Sequence, residues 1–341
     1  MTTSPDDVTH HDITTGSSIQ SRDVAYYFES SVVFIGVIGT TANALILYAM
    51  VASKQHRKQI MIFNQNALDL FSSVLLILTY SVKLCTVRLS DSVGHWLCMW
   101  LLSENIVWCG ILSSKINLML VTVERYLKVV HGTFSKKYLR GRVTYTAAVF
   151  SWLSGFALSI GITLTTTGVV DGSCYSYVFW SSRRSQLAYG IWYFLFFYAL
   201  MLTIFFFCYW RILMVIRRQA TVMAGHDSTG SSAHQAKSNQ LQANVVKTMI
   251  IVSAFYAVSD LPMNVYYLLL NIHANLTLLQ SGYYTVLFIS FLYICTNPFV
   301  YAAKFDPVKR IIVRLIPCRT TTQEPNSIDM STTAAPRAAS T

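Results

Sequence analysis

The chain has 341 residues, of which 53% are hydrophobic and only 12% charged, with a mean hydropathy of +0.45 and a formal net charge of +11. A soluble domain carries roughly 25% charged residues, so this chain cannot cover its own surface with polar groups, and a soluble monomer is excluded. The 13% aromatic content excludes disorder along most of the length. Basic residues interleaved with long apolar runs point to a membrane rather than to nucleic acid.

The first 27 residues are polar and acidic (Asp6, Asp7, Asp12, Asp23), contain no apolar leader, and are expected to form a disordered extracellular segment. Seven apolar stretches then follow at 28–52, 60–84, 96–123, 143–164, 187–216, 245–270 and 282–303. Each is about 20 residues or more, enough to cross a bilayer as a helix. Most connections are short, so the spans should form one bundle over 28–304. The exception is 217–244, rich in Gly, Ser and Gln and expected to be flexible. Asn275-Leu276-Thr277, in the last outer loop, is a glycosylation sequon.

Beyond the seventh span, 305–317 places Phe305, Val308, Ile311, Ile312 and Leu315 on one helical face, with Lys309, Arg310 and Arg314 mostly opposite. That pattern suits an amphipathic helix lying on the inner leaflet. Cys318 follows at once, either as a palmitoylation site that adds a second anchor or as an unmodified thiol. Residues 318–341, rich in Ser, Thr, Ala and Pro, read as a disordered cytoplasmic tail with hydroxyl clusters at 320–322 and 331–333. The fold class is therefore an all-α membrane protein, a seven-transmembrane helix bundle with a short amphipathic helix after the seventh span.

Charge sets the expected orientation. The loops at 53–59, 125–142 and 217–244, with adjoining span ends and the tail after Tyr301, hold 20 of the 26 Lys and Arg and a net +15. The opposite side carries −2 and the span interiors another −2. By the positive-inside rule the N-terminus lies outside and the C-terminus inside.

Glu124-Arg125-Tyr126 stands at the inner end of the third span, and Asn297-Pro298-Phe299-Val300-Tyr301, an N-P-x-x-Y, stands in the seventh. With Asn43 in the first span, Asp69 in the second, Trp152 in the fourth and Pro262 in the sixth, the chain resembles the rhodopsin-like (class A) G-protein-coupled receptors over about residues 28–318. It looks like a divergent member of orphan or peptide type. The resemblance implies that Arg125 changes partners on activation and opens a cavity for a heterotrimeric G-protein, with Tyr209 and Tyr301 stabilising the open form. It implies receptor kinases and arrestin as partners of the tail, beside membrane lipids. It also implies a Cys98–Cys174 disulfide, although Cys98 lies 27 residues before Arg125, about two more than usual for the family. Cys85, Cys109, Cys208 and Cys295 read as reduced apolar fillers. Pro262 and Pro298 each remove a helix hydrogen bond and permit a kink.

The departures from the pattern are informative. Asp260 occupies the place of the family's sixth-span tryptophan, and Met201 stands near the usual fifth-span proline. Gly132 replaces a common proline, and Tyr293 stands where a polar Asn or Ser is frequent. Val107 takes the position of the aspartate of amine receptors, which disfavours a classical amine ligand. Phe291 takes the position of the retinal-binding lysine of opsins, so no Schiff base can form there.

Ionisable groups inside a bundle cost several kcal/mol unless paired or hydrated, so each is a functional hypothesis. Asp69, with Ser114 and Asn297, matches the family's sodium site, and sodium is the one cofactor expected. Lys115, ten residues outward of Arg125 and so about 15 Å from it, should pair either with Asp260 as a latch between the third and sixth helices or with Asp69. Glu104, Val107, Tyr266 and Phe291 are the candidates for a ligand pocket, Glu104 either as partner of a cationic group or as a solvated rim residue. The aromatic outer ends (Trp96, Trp100, Trp108, Tyr266, Tyr267, Tyr283, Tyr284) suit a pocket or an interfacial belt, the belt for most of them.

No phosphate loop, zinc motif or nucleophile elbow is present in the sequence, so no enzyme is expected. The leading expectation is a plasma-membrane receptor that couples an extracellular ligand, with a lean to peptides from the outer-loop stretch around Cys174, to a G-protein. The alternative is a seven-span ion or proton-coupled transporter using Asp69, Lys115 and Asp260 as a relay. Against it stand the motif placements and the lack of pseudo-repeated halves.

Overall fold

In a bilayer no water is at hand to pair backbone groups, so a crossing segment must satisfy its own N–H and C=O groups as a helix. The computed structural model of the chain, which describes residues 5–85, 89, 91–224, 231–272, 280–304 and 306–315, meets this demand. Seven of its helical runs are long and apolar enough to cross a membrane. They begin with α1 (Pro5–Ala52) and α2 (Ile60–Leu84). The third span is interrupted, as α3 (Asp91–Leu97), a π-helical turn (Cys98–Leu102) and α4 (Asn105–Val130). A short α5 (Gly132–Tyr138) leads to α6 (Gly141–Thr166).

An antiparallel hairpin, β1 (Gly168–Val170) and β2 (Ser173–Tyr175), pairs Val169 with Cys174. The fifth span is α7 (Arg183–Phe194), a second π-helical turn (Leu195–Ala199) and α8 (Leu200–Ala224). It is followed by α9 (Ser231–Ile272), α10 (Gln280–Lys304) and α11 (Asp306–Leu315).

Two segments expected to be unstructured are largely helical. α1 starts at Pro5 rather than near residue 28, and α8 and α9 run well into 217–244. Extending a helix already fixed in the bundle needs no new nucleus, and Pro5 is tolerated at a first helical position, where its missing N–H has no partner to lose. Phe305, Asn275, Cys318 and the 318–341 tail lie outside the described residues.

α4 is the packing axis, meeting α2, α6 and α8, while α1 packs on α2 and α10, and α9 on α10. The approach of α6 to α4 depends on one glycine. A Cβ on Gly155 would fall 2.0 Å from Ser113 Oγ and 2.5 Å from the Ser113 nitrogen, so any larger residue would force the helices apart. Pro298 cannot donate to the Ile294 carbonyl, and Asn43 Nδ2 of α1 takes that carbonyl instead, at 3.2 Å. On α11, Val308 is buried and Ile311 and Ile312 are half-buried against the core, with Lys309 and Arg310 exposed. Large apolar side chains such as Phe206, Trp210 and Val258 face outward, as a lipid-covered surface requires.

Candidate functional site

The outer end of the bundle is built around the break in the third span. A π-helical turn inserts extra backbone into a helix, and Glu104 then adopts a left-handed conformation (φ 61°) before α4 starts at Asn105. Ser103 Oγ accepts from the Asn105 N–H at 3.3 Å and donates to the Met99 carbonyl at 2.7 Å, bridging the break. The surplus residues between Cys98 and Arg125 are absorbed here. Cys98 is bonded to Cys174, with Cα atoms 5.4 Å apart, so the hairpin is tied across the start of the span.

After the hairpin the chain passes back over the bundle as a strap. Val178 and Phe179 donate to the Thr166 carbonyl at 2.9 and 3.1 Å, and Trp180 Nε1 donates to the Tyr177 carbonyl at 2.8 Å. Beneath lies a cavity of about 630 Å³. Glu104, Lys83, Trp108, Tyr177, Tyr193 and Tyr267 are among its lining residues, with Tyr266 and Tyr283 closing the side toward α9 and α10. Glu104 Oε1 accepts from the Tyr80 hydroxyl at 2.7 Å and forms an ion pair with Lys83, whose ammonium sits 4.7 Å from the Tyr80 ring centroid. Burial pushes the Tyr177 hydroxyl up to about 12.

Below the cavity floor lie two carboxylates. Asp260 on α9 pairs with Lys115 on α4, Nζ to Oδ2 at 2.8 Å. Asn264 Nδ2 donates to the same oxygen at 2.6 Å, and Ser290 Oγ of α10 donates to Oδ1 at 3.1 Å. One ion pair thus connects three helices. Of the two partners open to Lys115, the structure pairs it with Asp260.

Asp69 on α2 is instead held by neutral donors, Ser114 Oγ at 2.6 Å and Asn297 Nδ2 at 2.8 Å, with Gln65 Nε2 at 3.4 Å. Gln65 also donates to the Tyr293 hydroxyl at 3.3 Å and accepts from Asn117 at 2.7 Å. Asn64 continues the chain of bonds to the Trp152 indole at 3.0 Å.

At the inner end, Glu124 Oε2 lies 3.2 Å from Arg125 Nη2 and Glu124 Oε1 lies 2.7 Å from Lys128. Arg125 also donates to Gln59 at the start of α2. The Tyr209 hydroxyl sits between Thr122 Oγ1 (3.0 Å) and Ser253 Oγ (2.9 Å), bridging α4, α8 and α9. Tyr301 is buried beside this group with its hydroxyl unpartnered among the described residues, and both tyrosines are within electrostatic reach of Arg125. Tyr126 turns away to His131 Nε2 at 3.2 Å.

The structure therefore brings Arg125, Glu124, Tyr209 and Tyr301 to one end, and Glu104 and Tyr266 to the cavity at the other. Val107 and Phe291 are fully buried and do not line the cavity. Phe291 packs against Tyr80 and Trp108, with ring centroids 5.9 and 6.2 Å away. Trp108, Tyr267 and Tyr283, expected as belt residues, line the cavity instead, because their helix faces point inward. Lys83, Tyr177, Tyr189 and Tyr193 also line it and were not expected there. Lys83 was the traceable one, as a base near the outer end of a span with an acid, Glu104, at matching depth.

The family model described as "7 transmembrane receptor (rhodopsin family)" matches residues 42–301. Among curated proteins, melanopsin-B of Gadus morhua is 25% identical over 235 residues, 65% of this chain but only 36% of its own length. The C-C chemokine receptor type 8 of Mus musculus is 26% identical over 287 residues, 78% of this chain and 72% of the relative. The substance-K receptor of Homo sapiens is 23% identical over 301 residues, covering 84% and 73%. These relatives are receptors, not enzymes, and the seven spans make the chain a multi-pass protein of the plasma membrane. With the inner Glu124–Arg125 pair, the outer disulfide and the seven-helix bundle in place, the match over residues 42–301 assigns this chain to the rhodopsin family of seven-transmembrane receptors.

Proposed function

We propose that the chain is a cell-surface receptor whose outer cavity takes an extracellular ligand, a peptide by preference, and whose inner end activates a heterotrimeric G-protein. The observation that carries this reading is the Lys115–Asp260 pair. It lies between the cavity and the Arg125 cluster and joins α4 to α9, so a ligand that shifts either helix acts on it directly. An outer N-terminus and an inner C-terminus are supported by the charge pattern, since the cavity then faces the acidic side of the chain and Arg125 the basic side.

A peptide is favoured by the hairpin roof over a large aromatic cavity and by the chemokine and substance-K receptors among the relatives. The melanopsin relatives do not extend to a chromophore, since Phe291 stands where a Schiff-base lysine would be needed. A sodium ion at Asp69 is supported by the hard oxygen set of Asp69, Ser114 and the unpartnered Asn297 Oδ1. A proton relay is disfavoured, because among the described residues no hydrogen bond links the Asp69 network to Lys115–Asp260.

The test is nucleotide exchange on purified G-protein, driven by the full chain in lipid vesicles and screened against a peptide library, with proton flux measured in the same vesicles. Exchange that rises with a peptide supports the reading. Flux without exchange overturns it.

A further inference from the structure

Among the described residues, the lining of the outer cavity contains two charged residues, Lys83 and Glu104, set against six tyrosines and two tryptophans. Of the four non-glycine residues with positive φ among the described residues, two line this cavity: Glu104 (61°) and Tyr177 (60°). A left-handed backbone at a large side chain is held only where surrounding contacts fix it, and such strain gathers at binding sites. Here the disulfide, the π-helical turn and the Thr166 bonds to the strap do the fixing.

We propose that the ligand carries a cation, a primary ammonium or a guanidinium, on an aromatic or aliphatic body, and that Glu104 receives this cation. This rests on the receptor reading above. Four observations converge on it. Glu104 Oε1 is taken by Tyr80 and Lys83, whereas Oε2 has no hydrogen bond among the described residues. The charge balance favours a cation, since both Glu104 and Glu29 of α1 act on the single ammonium of Lys83. The lining is rich in aromatic rings, and a ring face attracts cations and repels anions through its quadrupole. Finally, Lys83 already shows the recognition at work. Its ammonium is held by a carboxylate oxygen and a tyrosine ring together, and a ligand cation on Oε2 would find the same combination, with Tyr283 and Tyr177 close enough to sense the Glu104 charge.

An anionic ligand would have to pull Lys83 away from Glu104 and leave a buried carboxylate unpaired, which is the costlier exchange. The cation could come from a basic side chain or amino terminus of a peptide, or from a small organic cation. The chemistry at Glu104 is the same for both.

The full chain in lipid nanodiscs provides the test, with its heat-unfolding midpoint titrated against four probes: N-acetyl-tyrosyl-arginine amide, its neutral citrulline isostere, its glutamate counterpart and phenethylguanidinium. Binding to the folded state alone raises the midpoint with probe concentration. The arginine probe should raise it, and the citrulline and glutamate probes should not. Glu104→Gln should weaken the arginine probe about tenfold or more, as loss of a charge-assisted hydrogen bond implies. Lys83→Met should strengthen it by removing the internal competitor.

A stronger response to the dipeptide than to phenethylguanidinium assigns the cation to a peptide, and the reverse order to a small organic ligand. Either order supports the proposal. Equal stabilisation by arginine and citrulline probes, preference for the glutamate probe, or an unchanged response in Glu104→Gln overturns it. If Glu104→Gln does not fold, the contrast between arginine and citrulline on the unaltered chain still decides. Because unfolding is read apart from signalling, a null result here with G-protein exchange intact removes only the cation assignment. Cation-dependent stabilisation with no exchange by any ligand removes only the receptor reading.

Discussion

Asp69 and Asp260 are both buried carboxylates in neighbouring layers of one bundle, yet they are held in opposite ways. Asp260 meets a full opposite charge at 2.8 Å and spends its remaining capacity on Asn264 and Ser290. Asp69 meets only neutral donors, from Ser114, Asn297 and Gln65. A buried charge paired with a counter-charge is neutral as a unit and fastens the elements that carry the two halves. A buried carboxylate held by neutral dipoles has no counter-charge of its own and leaves room for a mobile cation. The first arrangement resists change until one partner is lost. The second can be tuned by ions.

The sharpest way to break this contrast is Lys115→Met, which leaves Asp260 buried without its cation. Stability should fall by about 3–5 kcal/mol, read from unfolding in detergent, and basal nucleotide exchange should rise as α4 and α9 come loose. Unchanged exchange and surface expression in both Lys115→Met and Asp260→Asn would remove the latch. Next, Lys115→Met combined with Asp260→Asn should recover most of that loss, because no unpaired charge remains. The cycle should give a coupling of at least about 3 kcal/mol, at or beyond the upper end for contacting residues.

Asp69→Asn should cost less, about 1–2 kcal/mol, since it exchanges hydrogen bonds without stranding a partner of opposite charge. If the site takes sodium, the same variant should abolish any sodium dependence of the unfolding midpoint, whereas Lys115→Met should retain it. Tyr293→Phe should have the smallest effect, within about 0.5 kcal/mol, because the well-defined bond of its hydroxyl among the described residues is a long one, 3.3 Å from Gln65. A large loss there would mean that the Asp69 network depends on Tyr293 more than its geometry shows.

Much of the framework was legible in the residues. Twenty-residue apolar runs leave a helix little alternative in a bilayer, so the seven spans and their order follow from hydropathy alone. The partnership of Cys98 with Cys174 was legible through the family pattern and is present in the structure. The cavity was only half legible. Glu104 and Tyr266 stood out, but an aromatic at the end of a span gives the same signal whether it faces lipid or the bundle interior. Tyr267 and Tyr283 were therefore read as belt residues although they line the cavity. Phe291 and Val107 erred in the other direction, since both are fully buried in the core, Phe291 against the Tyr80 ring.

The sequence by itself determined that this chain crosses a membrane seven times, with a basic side, an acidic side and three carboxylates and one ammonium in between. Those are properties of composition and period, which act locally and need no partner. Only the tertiary structure decided that Lys115 joins Asp260 rather than Asp69, and that the surplus residues before Arg125 become a break aiming Glu104 into the cavity. Pairing and aim depend on how helices are rotated about their own axes. Contacts such as Gly155 against Ser113 fix that rotation, and no single segment carries the information.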